Sequence, residues 1–197
     1  MSIIVEHEKR RIEILENALA VFMDDGFEGA TFQRIADRCG ITRTTLYIYF
    51  KNKREIFNYS IKQLLLKAEQ SIQEIRAEKN LNSVEKITMV LMDVLKLLEE
   101  NRRLLSVILD YILHVSKNDI NPEMRIRRRT LRFRRILSSM VIEGVKAGDL
   151  KRVNIKTTND YLYSFIEAAI FHLVVMKRKN LGELRNIAAF AVKQLAA

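Results

Sequence analysis

The sequence predicts an all-α protein of about nine helices, in which a small N-terminal domain is joined by a long helix to a larger helical domain. Residues that interrupt helices are scarce, with six glycines and one proline in 197 residues. Apolar residues make up 48% of the chain, which is enough for a real core. They recur at three- and four-residue spacing, as on one face of a helix. We expect domain boundaries at 1–51 and 52–197.

Three helices are predicted in the first fifty residues. The first covers about 7–24, where an apolar stripe precedes Gly26, the type of residue that ends a helix in a left-handed turn. The second begins at Thr31, a good N-cap, and ends at Gly40. The third begins at Thr42 and runs to Ile48. These three helices make up the N-terminal domain.

The remaining helices follow from their caps. Asn52, with Glu55 three residues on, begins a long helix that continues to about residue 78. Ser83 is expected to cap a helix over 84–99, and another covers about 102–117. Asn121 and Pro122 begin a helix that ends before Gly148. Thr157 or Thr158 begins one that runs to about 179, and the last covers 183–196.

The composition excludes several classes of protein. No apolar run reaches the roughly 18 residues of a membrane span, and the N-terminus does not resemble a signal peptide. The lone cysteine, Cys39, cannot form an internal disulfide, so we expect a soluble, cytoplasmic protein without membrane partners. The histidines, His7, His114 and His172, are scattered, and no phosphate-binding glycine loop is present. An enzyme, a cofactor and a metal site are therefore not expected.

The net charge of +10 does not by itself locate a binding surface. Residues 1–60 contain nine Lys and Arg and nine Asp and Glu, which sum to zero, so the whole excess lies beyond residue 60. Basic proteins often bind polyanions, but here the charge does not point to the segment with the clearest motif.

That motif is a helix-turn-helix over residues 31–50. Two short helices are joined by residues 38–41, and Gly40 permits the sharp turn. Arg43 can pair with O6 and N7 of guanine, and the hydroxyls of Thr45 and Tyr47 can reach phosphates. Gln33 can touch a base edge. The same geometry also occurs in proteins that do not bind DNA.

A wider pattern supports the DNA-binding interpretation. Residues 12–57 resemble the tetracycline-repressor (TetR) family of bacterial transcriptional regulators, through Gly26-Phe27, Thr31-Phe32, Ile35-Ala36, Gly40-Ile41, Leu46-Tyr47-Ile48-Tyr49-Phe50 and Lys53. Cys39 and Thr44 depart from the family pattern; Cys39 is expected to be a small buried filler. The resemblance implies contacts with double-stranded DNA at Thr31, Gln33, Arg43, Thr44, Thr45, Tyr47, Tyr49 and Lys53. Arg43 and Gln33 are expected to choose the bases.

The resemblance also implies a homodimer and a pocket for a small-molecule effector. The expected dimer interface takes one face from each of the last two helices: Phe165, Ala168, Ala169, His172 and Val175, then Leu184, Ile187, Ala188, Ala191 and Leu195. The expected effector is mostly apolar. The candidate pocket residues are Met89, Met92, Tyr111, His114, Met140, Phe165 and Phe171.

The hypothesis is therefore a homodimeric repressor that binds a near-palindromic operator and is released by its effector. The alternative is an architectural DNA-binding protein without a ligand. A run of seven arginines within 125–135 keeps further interpretations open. It is either a solvated face paired with acidic residues or a surface for an anionic partner, a membrane or additional DNA.

Overall fold

The computed structural model describes the backbone of residues 2–115 and 122–197 and the side chains of residues 6–113 and 131–197. Within these ranges the chain forms nine α-helices and no strand, which confirms the all-α fold class. The helices are α1 (Ser2–Gly29), α2 (Phe32–Arg38), α3 (Arg43–Tyr49), α4 (Lys53–Ala77), α5 (Ser83–Glu100), α6 (Arg102–Val115), α7 (Pro122–Ala147), α8 (Ile155–Ile170) and α9 (Gly182–Lys193). A π-helical turn, Phe171–Val175, follows α8 directly.

The first helix is longer than the apolar pattern predicts. Gly26 lies inside α1 with φ of 72° and ψ of 173°, so the helix is kinked there. One more turn follows, in which the Ala30 N–H donates to the Gly26 carbonyl at 3.2 Å. Glycine adopts this left-handed backbone readily, and here it permits a bend within the helix.

Two N-caps lie upstream of the residues expected from the sequence. Asn82 caps α5 and forms a reciprocal capping box with Glu85, so Ser83 is the first helical residue. Asn154 caps α8 by accepting the Thr157 N–H at 3.0 Å, which starts that helix at Ile155. In both cases an asparagine carbonyl takes a free N–H of the first turn.

The last part of α8 also differs from the expectation. Regular α-helix ends at Ile170, and the π-helical turn continues only to Val175. Lys177 has a φ of 51°, which is incompatible with continued helix. The chain therefore leaves the helix before residue 179.

The protein divides into two compact units. Unit 1 contains residues 1–67 and 106–111, and unit 2 contains residues 68–105 and 112–197. The division falls inside α4 and α6, whereas the sequence places the domain boundary at 51/52, ahead of α4. The boundary at 51/52 stays a prediction.

Each unit has its own apolar core. In unit 1 the fully buried large side chains come from α1, α2, α3 and α4, and include Ile14, Phe22, Ile35, Leu46, Ile56 and Phe57. In unit 2 one cluster joins α5, α7 and α8 through Leu91, Leu137 and Leu162, and a second joins α5, α8 and α9 through Leu95, Ala169 and Ala188.

Among the described helices, none combines the length and apolar composition needed to cross a membrane. The described residues contain no group of three or more His, Cys, Asp or Glu side chains placed to hold a metal ion.

Candidate nucleic-acid interface

Helices α2 and α3 form the predicted helix-turn-helix. The Thr31 hydroxyl accepts the Arg34 N–H at 3.2 Å and begins α2. The turn passes through Gly40, whose φ is 64°, and closes with the Ile41 N–H donating to the Ala36 carbonyl at 3.1 Å. Glycine supplies this backbone conformation without a Cβ penalty. The turn geometry is therefore fixed by residues within ten positions of one another.

Helix α3 begins with a second threonine cap. The Thr42 hydroxyl accepts the Thr45 N–H at 3.0 Å and lies 2.8 Å from the Thr45 hydroxyl. Leu46 on α3 is fully buried, as are Ile35 and Ala36 on α2. These three anchor the inner sides of both helices.

The opposite side of α3 faces outward. Arg43, Thr44, Tyr47 and Ile48 are exposed, with Tyr47 at 49% and Ile48 at 70%. Residues 43, 44, 47 and 48 share one side of a helix with 3.6 residues per turn. An outward helix face of this kind is what a recognition helix presents to the major groove.

Arg43 is oriented by Tyr47. One guanidinium nitrogen donates to the Tyr47 hydroxyl at 3.2 Å, and the guanidinium carbon lies 5.6 Å from the Tyr47 ring centroid. The Tyr47 ring in turn packs on Phe32, with centroids 4.6 Å apart. The Tyr47 contacts already restrict the rotamers of Arg43 in the free protein, so less side-chain entropy is lost when Arg43 binds DNA.

Other predicted contact residues lie around this face. Thr31 and Gln33 are exposed on the first turn of α2, and the Gln33 amide donates to Asp37 at 2.7 Å. Thr45 and Tyr49 are half-buried on the sides of α3, and the Tyr49 ring stacks on His7. Cys39, in the turn, is half-buried, and burial raises the pKa of its thiol.

Lys53 is placed differently from the other predicted contact residues. Its Nζ donates to the carbonyls of Phe27, Glu28 and Ala30 at 2.8, 3.1 and 3.3 Å. It also lies 4.7 Å from the Phe27 ring centroid. An ammonium group has three donors, and here all three are directed at the carbonyls that end α1. The sequence pattern contained no signal for this role, because the partners lie 23 to 26 residues away.

Comparison with known proteins agrees with this geometry. Residues 14–59 match the family model described as bacterial regulatory proteins, tetR family. This match assigns the helix-turn-helix segment to the TetR family of regulators. The chain is a DNA-binding transcriptional regulator.

Relatives extend this likeness beyond the helix-turn-helix. The chain is 22% identical over 173 residues to the fatty acid metabolism regulator protein of Bacillus subtilis (strain 168), covering 85% of each chain. The structure of a TetR transcription regulator from Haloarcula marismortui is similar with a TM-score of 0.78 at 20% identity, over 96% of this chain and 97% of that one. The structure of the B. subtilis regulator FadR in complex with stearoyl-CoA is similar with a TM-score of 0.71 at 20% identity, over 94% of this chain and 97% of that one.

The candidate effector residues do not form one group in the structure. Met92, Met140 and Phe165 pack in the core of unit 2, whereas Met89 and Phe171 are exposed. Tyr111 belongs to unit 1, where its ring lies 4.4 Å from Phe27 and 5.0 Å from Phe57 between centroids. The side chain of His114 lies outside the described residues.

The candidate dimer residues also divide into two sets. The core of unit 2 buries five of them: Phe165, Ala169, Leu184, Ala188 and Ala191. Ala168, His172 and Leu195 are half-buried, and Val175 and Ile187 are exposed. The same outer sides expose Tyr161, Phe171, Met176 and Phe190, none of which was expected at the dimer interface.

The arginine-rich segment is described only from residue 131 onward. Arg132 pairs with Glu69 at 3.0 Å, and Arg134 pairs with Asp160. The guanidinium of Arg134 also lies 4.2 Å from the Tyr163 ring centroid. These two arginines are thus paired within unit 2, while residues 125–130 lie outside the described side chains.

Proposed function

We propose that the chain is a repressor that binds a near-palindromic operator as a homodimer and is released by a small, mostly apolar effector. The observation that carries the DNA-binding part is the outward face of α3. There Arg43, held by Tyr47, projects away from a buried inner side. An arginine fork on guanine contributes about 1–3 kcal/mol of discrimination against the wrong base.

The other predicted residues take complementary roles in this proposal. Thr44 and Gln33 lie beside Arg43 on the exposed surface and contact base edges or nearby phosphates. Thr31, Thr45, Tyr47 and Tyr49 offer hydroxyl groups to phosphates. Lys53 acts indirectly by fixing the start of α4 against the end of α1.

The proposed dimer face is the outer side of α8, the π-helical turn and α9. Large apolar side chains are exposed along it, including Val175 at 61% and Phe190 at 65%. An apolar patch of this kind on a folded chain favours a protein partner. A second copy, related by a two-fold axis, would cover it and place two copies of α3 about 34–36 Å apart.

The proposed effector is a molecule with a long acyl chain. The support is the likeness, over 85% of the chain, to a fatty acid metabolism regulator, and the fold shared with FadR in complex with stearoyl-CoA. Met92, Met140 and Phe165 give unit 2 adaptable apolar side chains against which an acyl chain can pack.

The base-reading role is tested with DNA selected by the wild-type protein from a random pool. Arg43→Ala should lower the preference for the selected site over a scrambled site by about 5- to 150-fold. Arg103→Ala, at an exposed arginine in unit 2, is the control and should leave the preference unchanged. An unchanged preference in Arg43→Ala would refute the assignment, and a wild-type pool without a common site would favour the architectural alternative.

The dimer and the effector need separate measurements. Phe190→Glu should shift sedimentation from dimer to monomer and weaken binding to the two-half-site operator. Wild-type protein that sediments as a monomer would refute the dimer.

Stearoyl-CoA should release the wild-type protein from its operator, whereas free CoA, the matched control, should not. If stearoyl-CoA and free CoA released the protein equally, or if neither released it, the acyl effector would be refuted.

A further inference from the structure

Two aromatic stacks flank the recognition helix α3. On one side the Phe32 ring, at the start of α2, lies 4.6 Å from the Tyr47 ring between centroids. On the other side the His7 ring, in the first turns of α1, lies 4.5 Å from the Tyr49 ring with an angle of 25° between the planes. His7 has no role in the proposed function above.

The two stacks lie on different flanks of α3. Residues two positions apart on an α-helix project about 200° apart around its axis. Tyr47 and Tyr49 therefore project on different sides of α3. Tyr47 lies within the outward face and the half-buried Tyr49 lies beyond its edge, so the segments stacked on them border α3 from different sides. The start of α2 follows one side of the recognition helix, and the N-terminal part of α1 follows the other.

Neighbouring side chains hold this part of α1 in place. A guanidinium nitrogen of Arg10 donates to the Cys39 carbonyl, in the turn before α3, at 3.1 Å. The guanidinium carbon of Arg11 lies 4.5 Å from the Tyr59 ring centroid and 5.4 Å from that of Phe50. His7 is thus one helical turn from two anchored residues, and its position relative to α3 is fixed.

His7 itself is exposed. Its ring face is covered by Tyr49, and among the described residues its nitrogens make no hydrogen bond. A stacked imidazole keeps its ring edge free, so an N–H can donate to an acceptor in the plane of the ring.

The major groove explains what acceptor would lie there. It is about 12 Å wide and is bounded by one row of phosphates on each side. A helix seated in it has phosphates on both flanks. Thr31, beside Phe32, lies on the α2 flank, and His7 lies on the α1 flank.

We propose that His7 is an additional DNA-contact residue whose imidazole donates a hydrogen bond to a backbone phosphate, with Tyr49 as the platform that positions it. This inference rests on the proposed function, because it requires α3 to lie in the major groove. A phosphate contact adds affinity without sequence preference.

The experiment measures the affinity of the full chain for its selected operator and for a scrambled duplex over a range of salt concentrations. His7→Ala should weaken binding to both DNAs by about 2- to 10-fold, as for one hydrogen bond, and leave their ratio unchanged. His7→Lys should tighten binding and steepen the dependence of log K on log salt by about 0.9, as for one added phosphate contact.

Lys9→Gln is the matched control. Lys9 is exposed on the same helix, two residues from His7, and projects about 200° away from it. Lys9→Gln should change the dependence of log K on log salt by a smaller amount than His7→Lys does. An equal change in both would indicate a general charge effect and overturn the phosphate contact.

Two further outcomes would overturn the proposal. If His7→Lys binds like the wild type, no phosphate faces residue 7. If His7→Ala lowers the urea midpoint of unfolding enough to account for its weaker binding, His7 only supports Tyr49. Either result leaves the proposed function intact when Arg43→Ala still loses its base preference, whereas failure of the wild type to select any site removes the proposed function itself.

Discussion

Replacing Lys53 with methionine separates a structural role from direct DNA contact. Lys53→Met keeps most of the aliphatic stem and removes the ammonium group that donates to three carbonyls at the end of α1. A hydrogen bond to a charged group contributes about 1.5–3 kcal/mol. Only the bond to the Phe27 carbonyl, at 2.8 Å, is short. Because the Lys53 side chain is 28% exposed, water can replace some of the hydrogen bonds that the carbonyls lose.

We therefore expect Lys53→Met to lower the free energy of unfolding by about 2–4 kcal/mol in total, counting the short bond fully and the two longer bonds in part. The nearby Glu28 carboxylate, 3.6 Å away and largely exposed, adds little. For a chain of this length each kcal/mol lowers the melting temperature by about 2–4 °C. Urea unfolding followed by circular dichroism measures the change.

Lys51→Met is the matched control, since Lys51 is exposed two residues earlier. It should leave the stability within about 0.5 kcal/mol of the wild type. If Lys53→Met kept wild-type stability but lost operator affinity, Lys53 would be a phosphate contact after all, as the sequence implied.

Three further changes test the packing and the turns. Gly144→Ala should destabilise unit 2 by about 1–3 kcal/mol in urea, because the new Cβ would lie 2.6 Å from Leu150 Cδ1 and 2.8 Å from Ser83 Cβ; an equal or higher stability would contradict this contact. Hydrogen bonds from Ser83 lower the pKa of Asp149, so the stabilising effect of the Asp149 carboxylate is present above the ordinary carboxyl pKa and is lost as the pH falls through the lowered value. Asp149→Asn should therefore flatten the acid limb of a curve of stability against pH, and an unchanged acid limb would refute the assignment. Tyr111→Ala should lower the stability by about 3 kcal/mol through lost contacts with Phe27 and Phe57, whereas loss of effector binding at unchanged stability would return Tyr111 to the pocket.

The helix-turn-helix could be predicted from the sequence because its determinants are local. The caps at Thr31 and Thr42 bond to N–H groups three residues away, and the turn at Gly40 closes within five residues. Periodicity then determines which side of so short a helix is buried, since only Leu46 on α3 can reach the core. The exposed position of Arg43 follows from the same spacing.

The faces of α8 and α9 could not be assigned in this way. Both helices carry apolar residues on more than one side, so a spacing rule finds a stripe but does not identify what packs against it. The stripe of Leu184, Ala188 and Ala191 is the inner one, buried within unit 2, while Phe190 belongs to the outer side. Apolar spacing carries no information about whether the neighbour is the same subunit or another.

The sequence by itself determined the helix class, the two-helix motif and the orientation of Arg43, because hydrogen bonds and periodicity over a few residues set each of them. Only the tertiary structure decided that Lys53 bonds to the end of α1, that Tyr111 packs with Phe27, and that His7 stacks on Tyr49. These pairs are separated by 26, 84 and 42 residues, so each depends on how whole helices pack.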